Sequence, residues 1–266
     1  MTILFAGGDK RTLSALAYMK SQGFSVCSYA LTDRVAVDAT SISAVVLPFP
    51  CLKNGRLNAP QIEQPPTLSE LIEELGISTD LPIIGGPIPN HPFSNYVDLS
   101  LREDLKLRNA VTTVEGAVSL LIHNTDRAIF GMNCLVLGYG AIGKRLSSVL
   151  SSLGASVTVA ARKQKDRVDA TMHGFGAMDV KALELRGFQA VFNTVPHVLL
   201  TREILQNSEP DAVLFELASA PGGIDRTAAA ELQRTVLDGP ALPGKVAPVT
   251  AGEDLAKTVI DILQNL

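Results

Sequence analysis

Gly138-Tyr139-Gly140-Ala141-Ile142-Gly143 sets three glycines at the spacing G-x-G-x-x-G. The apolar run Cys134–Leu137 leads into it, and an amphipathic stretch over 141–153 grows out of it. In such a turn the first glycine permits a tight reversal. The second lets backbone approach a pyrophosphate, and the third lets helix and strand pack closely. Phosphates then sit on free N–H groups at the positive end of the helix dipole. Residues 138–143 are therefore expected to hold a dinucleotide, against the plainer reading of a strand–helix turn with fortuitous glycines.

The end of the next strand selects between cofactors. An NAD site places Asp or Glu there, about 20 residues past the first glycine, to bind the ribose 2′-hydroxyl. Here Ala160 and Ala161 are followed by Arg162, Lys163 and Lys165. A carboxylate would repel a 2′-phosphate, whereas guanidinium and ammonium groups pair with it. NADP is the expected cofactor, with NAD as the alternative and a merely solvated basic loop as the bland one. Asn193-Thr194-Val195-Pro196 ends a later strand on the nicotinamide side and is counted with the cofactor site; an ordinary polar turn explains it equally well. His197, directly after it, is read as structural or exposed.

Other residues could touch a substrate. Ala218-Ser219-Ala220-Pro221-Gly222-Gly223 also follows a strand end, and Ser219 could hydrogen-bond a carboxylate. Gly7-Gly8-Asp9-Lys10-Arg11 could hold an anion at a helix start, with Arg11 as a two-pronged donor. The alternative is a tight turn with Asp9 as N-cap. Glu115 is a candidate acid or base, though a capping box with Thr112 accounts for it as well. No Ser–His, Cys–His or G-x-S-x-G arrangement appears, so hydride transfer is the chemistry left.

These groups need a frame. Short apolar runs alternate with helical stretches nearly throughout, which predicts βα units and parallel sheets. Strands are expected over 3–6, 24–30, 44–47, 82–84, 134–137, 156–161, 190–193 and 212–217. Helices are expected over 10–21, 68–75, 112–125, 141–153 and after Asp225. Residues 48–66 read as a long loop, 85–90 as turn, and 242–248 as a third turn-rich segment. Thr250 and Glu253 suggest a capping box that opens a last helix to Leu266. The fold class is α/β: two Rossmann-like lobes with parallel sheets and an interdomain cleft at the carboxyl ends of the strands. The first lobe is flavodoxin- or Rossmann-like. The boundary is placed near 111, giving a substrate or partner domain over 1–111, on which helix 250–266 packs back, and an NADP-binding Rossmann domain over 112–249.

Composition narrows the classes. The chain of 266 residues is 46% hydrophobic and 19% charged, the balance of a soluble protein with a sizeable core. The net charge is −4 with scattered basic residues, which argues against nucleic acid. No run approaches the roughly 18 apolar residues of a membrane span. The N-terminus reaches Asp9, Lys10 and Arg11 too soon for an export signal, so a cytoplasmic protein is expected. Cys27, Cys51 and Cys134 read as reduced thiols, with Cys134 pointing into a sheet core. No metal site is expected, because His91, His123, His173 and His197 share no ligand spacing.

Taken together, GGDKR at 7–11, TVEG at 113–116, GYGAIG at 138–143, NTVP at 193–196, LASAPGG at 217–223 and LPGKVAPVTAG at 242–252 resemble, in order, the A-subunit family of bacterial dipicolinate synthases. The last two are the most specific. Lys10 and Lys245 depart from the small or apolar residues of that family's pattern. The resemblance implies an oxidoreductase subunit working in the mother cell during sporulation. It would oxidise a dihydro- or (hydroxy)tetrahydrodipicolinate to dipicolinate with NADP⁺. It implies a partner, the flavoprotein-like B subunit, together with a small dicarboxylate substrate and self-association. Arg11 and Ser219 would then bind substrate carboxylates, Thr113 and Glu115 would line the cleft, and Glu115 would move protons. The alternatives are a non-catalytic nucleotide-binding subunit that supports the flavoprotein, or another NADP-dependent dehydrogenase of shikimate or 2-hydroxyacid type.

Overall fold

The computed structural model describes residues 2–35, 37–239 and 241–266. The chain divides into two compact units, 1–109 with 247–266, and 110–246. In chain order the elements of the first unit are β1 (Thr2–Ala6), α1 (Lys10–Ser21), β2 (Ser25–Tyr29), β3 (Ile42–Val46), the small hairpin β4 (Leu52–Lys53) and β5 (Arg56–Leu57), α2 (Leu68–Leu75), β6 (Ile83–Gly85) and β7 (Tyr96–Asp98). Helix α3 (Glu103–His123) runs on into the second unit. There follow β8 (Asn133–Leu137), α4 (Ala141–Ser152), β9 (Ser156–Ala161), α5 (Gln164–Met172), β10 (Gly176–Asp179), β11 (Ala190–Asn193), α6 (Arg202–Leu205), β12 (Val213–Glu216), α7 (Arg226–Glu231), β13 (Thr235–Asp238) and α8 (Leu242–Val246). The chain then returns to the first unit with α9 (Pro248–Gln264).

Both main sheets are parallel. The first has order β2-β1-β3-β6-β7, the flavodoxin-like arrangement, so that of the two readings open for this lobe the flavodoxin order is the one adopted. The second has order β10-β9-β8-β11-β12-β13, the 3-2-1-4-5-6 order of a dinucleotide-binding Rossmann domain.

Alternation along the strands sets the layers. In β1, Ile3 and Phe5 face Leu16 and Met19 of α1 and Leu255, Val259 and Ile262 of α9, while Leu4 and Ala6 join Leu71 and Leu75 of α2 on the other face. In the second unit Cys134 and Val136 pack with Val114, Ala117 and Leu121 of α3 and Leu146 and Leu150 of α4. Leu135 and Leu137 pack with Leu205 of α6 and Ala228 and Ala229 of α7.

Three local expectations are corrected. Thr112 and Glu115 do not cap a helix, because α3 starts at Glu103 and carries both in its interior. Residues 103–111 hold no Pro or Gly, and good helix formers such as Leu, Lys and Arg carry the helix straight through 111, where the domain boundary was expected. Thr250 and Glu253 likewise lie inside α9, which opens with Pro248 after an N-cap, Ala247, that makes no side-chain cap. Part of the turn-rich 242–248 segment is the short helix α8.

Gly252 shows how closely α9 lies on α1. A Cβ there would be 2.3 Å from the Arg11 carbonyl oxygen and 2.5 Å from Ser14 Cβ. In an exposed helix Gly→Ala gains about 1 kcal/mol. At this site the sign should reverse, with overpacking costing about 1–3 kcal/mol. Gly252→Ala is therefore expected to lower the first thermal transition of the chain, and an unchanged or raised midpoint would contradict this packing.

Candidate functional site

The second sheet reverses its strand order between β8 and β11, and the candidate site sits at the carboxyl ends of those two strands. Gly138 follows β8 with φ +95°, a conformation natural to glycine, and its N–H donates to Ala160 O at 2.9 Å. A Cβ on Gly138 would meet Thr194 Oγ1 at 2.5 Å. Thr194 locks the end of β11 to the end of β8: its N–H and its hydroxyl both donate to Leu137 O, at 3.0 and 2.7 Å. Gly143 lies in the first turn of α4, where a Cβ would be 2.2 Å from Gly138 O.

Gly140 differs from these two. It is the exposed N-cap of α4, with φ −83°, and a Cβ there would find nothing within 4 Å. Glycine is an ordinary N-cap, and the open space at its Cβ position leaves the backbone there accessible from outside. No side chain caps α4, which leaves the helix N-terminus to an outside acceptor. Ala141 and Ile142 are half-buried in that first turn. Tyr139 is largely buried but also lines the groove beside the turn, with the Lys144 ammonium 4.9 Å from its ring centre and Lys144 itself bonded to Asp169 at 2.6 Å. Burial, with Asp169 nearby, pushes the Tyr139 hydroxyl pKa up.

Beside the turn runs a groove of about 300 Å³. Gly138, Tyr139, Ala160, Ala161, Arg162, Lys163 and Val195 line it, while Gly140, Ala141, Ile142, Gly143, Asn193, Thr194 and Pro196 of the residues the sequence assigned to a cofactor do not. Val180 and Leu199 make its wall apolar, as an adenine face requires, and Arg162 and Lys163 are exposed cations beside them. Arg167 fixes the end of β9: its Nη1 donates to the carbonyl oxygens of Ala161 and Arg162 at 2.8 and 2.9 Å and pairs with Asp179 at 2.9 Å.

One residue in this groove was missed: Asp166, from the first turn of α5, lines it beside the cations; His197, read as structural or exposed, is exposed and lines it too. Asp166 escaped because α5 itself carried almost no signal. That helix buries Ala170 and little else, so its sequence shows little amphipathic periodicity.

Asn193 is wholly buried and its side chain is spent inside the protein. Its Nδ2 donates to Glu216 Oε1 at 2.6 Å and to Val195 O at 2.9 Å, and its Oδ1 accepts from Val195 N at 3.2 Å. Glu216, at the end of β12 and 5% exposed, also accepts from the backbone N–H groups of Ala218, Gly223 and Ile224. This buried pair ties the β11 and β12 ends to the 217–224 loop. Pro196 and Ser219 are exposed on their loops, and the Ser219 carbonyl accepts from Gly222 N at 2.9 Å.

In the first unit the switch between β1 and β3 holds Arg11. Asp9 caps α1 by accepting from Arg11 N at 2.9 Å, so the helix start already carries a carboxylate. The guanidinium folds back onto the same carboxylate through Nε and Nη2, and Nη2 reaches Phe49 O at 2.8 Å. Burial pushes the Asp9 pKa up, but the hydrogen bonds and charge of Arg11 outweigh it and hold the carboxyl below its usual range. The slot lined by Gly8, Asp9, Arg11, Thr12 and Asn58 has a free volume of about 10 Å³, room for a water-sized group. Thr113 is buried within α3. Glu115 lies in a separate groove between α3 and α4 and does not line the glycine-turn groove.

No family model matches the chain. The A subunit of dipicolinate synthase from Bacillus subtilis (strain 168) is 34% identical over 172 residues, covering 64% of this chain and 58% of the relative, so the match spans under two thirds of that protein's length. The crystal structure of the dipicolinate synthase A subunit from Bacillus halodurans superposes with a TM-score of 0.88 at 26% identity, covering 98% of this chain and 97% of that one. The crystal structure of the Bacillus subtilis protein gives 0.87 at 26% identity, covering 100% and 96%. D-Lactate dehydrogenase from Escherichia coli gives 0.63 at 13% identity, covering 100% and 98%, a likeness of fold alone. The chain is thus similar in sequence and in fold to the A subunit of dipicolinate synthase and has the α/β architecture of Rossmann-type dehydrogenases.

Two of the glycines should separate on substitution. Gly140→Ala is expected to lower the melting temperature only by the small cost of a poorer N-cap and to weaken nicotinamide-dinucleotide binding at least tenfold by calorimetry. Gly143→Ala should markedly lower both, since its Cβ collides with the turn. Full dinucleotide affinity in Gly140→Ala would overturn this role for Gly140.

Proposed function

We propose that this chain is the nucleotide-binding oxidoreductase subunit of a dipicolinate-forming synthase, with NADP⁺ as hydride acceptor. The observation that carries the reading is the uncapped α4 start behind Gly140, set at the switch point of a 3-2-1-4-5-6 sheet. The substrate is inferred from the likeness to the A subunit of dipicolinate synthase.

The residues present fit such a cofactor. Gly140 and the α4 N–H groups would hold the pyrophosphate, the apolar wall of Val180, Val195 and Leu199 the adenine, and Arg162 with Lys163 a 2′-phosphate. When bound, NADP⁺ supplies hydride acceptance: a dihydrodipicolinate ring loses one hydride and one proton and becomes dipicolinate, after loss of water where the substrate is hydroxylated. Aromatisation supplies much of the driving force, so the protein's task is chiefly to bind and orient the ring. Arg11 and Ser219 are the proposed carboxylate-binding residues. Arg11 would release its hold on Asp9 or offer Nη1, the guanidinium nitrogen outside the bonds to Asp9 and Phe49. Thr113 is proposed as a lining residue. Glu115, in its own groove, takes no part in this assignment. The same proposal includes a flavoprotein-like B subunit, and a role in the mother cell of a spore-former.

One observation favours a second reading for the cofactor. Asp166 brings a carboxylate to the groove that holds Arg162 and Lys163, and a carboxylate there suits the ribose 2′-hydroxyl of NAD. The two readings separate by titration. NADP⁺ should bind more tightly than NAD⁺, and Arg162→Asp should invert that order while Asp166→Asn widens it. Tighter NAD⁺ binding to the unaltered chain, abolished in Asp166→Asn, would establish the second reading.

Turnover tests the function itself. Given a hydroxytetrahydrodipicolinate or dihydrodipicolinate precursor and NADP⁺, the purified chain, alone or with its flavoprotein partner, should produce NADPH and the ultraviolet absorbance of dipicolinate together, one NADPH per dipicolinate. Absence of both products under both conditions would overturn the assignment. Arg11→Ala is expected to raise the KM for the dicarboxylate at least tenfold.

A further inference from the structure

The slot at the start of α1 lies wholly within the first unit, and the fold leaves one of its polar groups unused. Thr12 lines it, is 6% exposed, and its Oγ1 has no hydrogen-bond partner among the described residues. A buried hydroxyl without a partner costs stability, and valine has nearly the same shape without that cost. Packing alone therefore gives no reason for a threonine at this position.

The surroundings leave room for the hydroxyl. Gly8, with φ +115°, lies directly against it, and a Cβ there would stand 2.0 Å from Thr12 Oγ1. Gly8 N donates to Asn58 O at 2.8 Å, and Asn58 Nδ2 to Pro50 O at 3.0 Å, so the segment after β5 closes one side. Phe49, Leu105 and Leu255 add apolar walls. The free space of about 10 Å³ admits one oxygen atom and no ring, so what enters is a single oxygen at the end of a larger molecule.

The neighbouring ion pair is committed in a way that asks for a second donor. Asp9 Oδ1 accepts from Arg11 N and Nε, and Oδ2 from Nε and Nη2. Nη2 also reaches Phe49 O, which leaves Nη1 as the one nitrogen of this guanidinium outside those bonds. Arg11 held in this way cannot grip a carboxylate with two nitrogens, the arrangement that makes arginine a strong anion ligand. We propose, on the reading of Arg11 as a carboxylate-binding residue, that the Thr12 hydroxyl is a further substrate-binding group. It donates to one carboxylate oxygen of the dicarboxylate, seated in the slot beside Arg11 Nη1.

Thr12→Val, Thr12→Ala and Thr12→Ser in the full chain test this by calorimetry with dipicolinate, by thermal melts and by turnover with NADP⁺. Thr12→Val and Thr12→Ala should each weaken dipicolinate binding about tenfold or more, the worth of a hydrogen bond to a charged group. They should raise the KM for the dicarboxylate by more than they lower kcat. Thr12→Val should melt no lower than the unaltered chain, because the unpaired hydroxyl is gone. Thr12→Ser keeps the hydroxyl and should keep most of the affinity. A structural role predicts the reverse, a lower melting temperature in Thr12→Val with dipicolinate affinity intact, and that result would overturn the inference. Undiminished affinity in Thr12→Ala would overturn it equally. Those outcomes leave the proposed reaction standing, whereas an unaltered chain that neither binds dipicolinate nor forms it would overturn the reaction and the role of Thr12 together.

Discussion

The first turn of α4 rests on the backbone it grows from, at a distance that leaves no room for a single methyl group between Gly143 and the Gly138 carbonyl. That close approach fixes where the helix starts and which way it points. It also fixes where the uncapped N–H groups emerge, beside the strand ends that Thr194 clamps together. With the helix so placed, Leu146 and Leu150 reach the core beneath β8 and β9, and Gly140 is left facing outward. Site and fold share one constraint here: loosening the turn to admit a side chain at 143 would displace the uncapped end of the helix as well.

The neighbouring strand ends are held by a different kind of contact. Glu216 is a buried carboxylate whose oxygens accept from the Asn193 side chain and from three backbone N–H groups. A charge removed from water is tolerated when its acceptors are filled in this way. Asn193 is thereby a positioning residue for the loops around it rather than a group offered to a ligand. The turn of residues 193–196 contributes Val195 to the groove, while its most polar side chain faces inward.

Much of this was readable in the sequence, for identifiable reasons. Buried parallel strands such as Ser156–Ala161 and Ala190–Asn193 are short apolar runs bounded by turns, and α1 and α2 match their expected bounds. The glycine turn carries its geometry in its spacing. What escaped notice lies at the edges. Strands β7, β10 and β13 are three or four residues long and only partly buried, so no apolar run announces them. Helix α5 is polar almost throughout, and with it went Asp166. The start of α3 was misplaced because Thr112 and Glu115 imitate a capping box, a signature that holds only where the preceding residue leaves the helix. The pairing of Arg11 with Asp9 is local, but its second anchor, the Phe49 carbonyl, is a tertiary neighbour that a local reading does not contain.

Helix α9 has a consequence for how the protein comes into being. Ile3 and Phe5 leave the ribosome long before Leu255, Val259 and Ile262, yet those later residues cover part of the apolar face they present. The second unit is complete in sequence at Val246, before any of α9 has been made. Domains fold as units during synthesis. The order of maturation is therefore inverted relative to the order of translation: the strand made earlier waits longer, its hydrophobic side open until α9 emerges. A nascent chain held at residue 246 would carry a finished nucleotide-binding fold behind an unfinished one, and that exposed face is where a chaperone would find it.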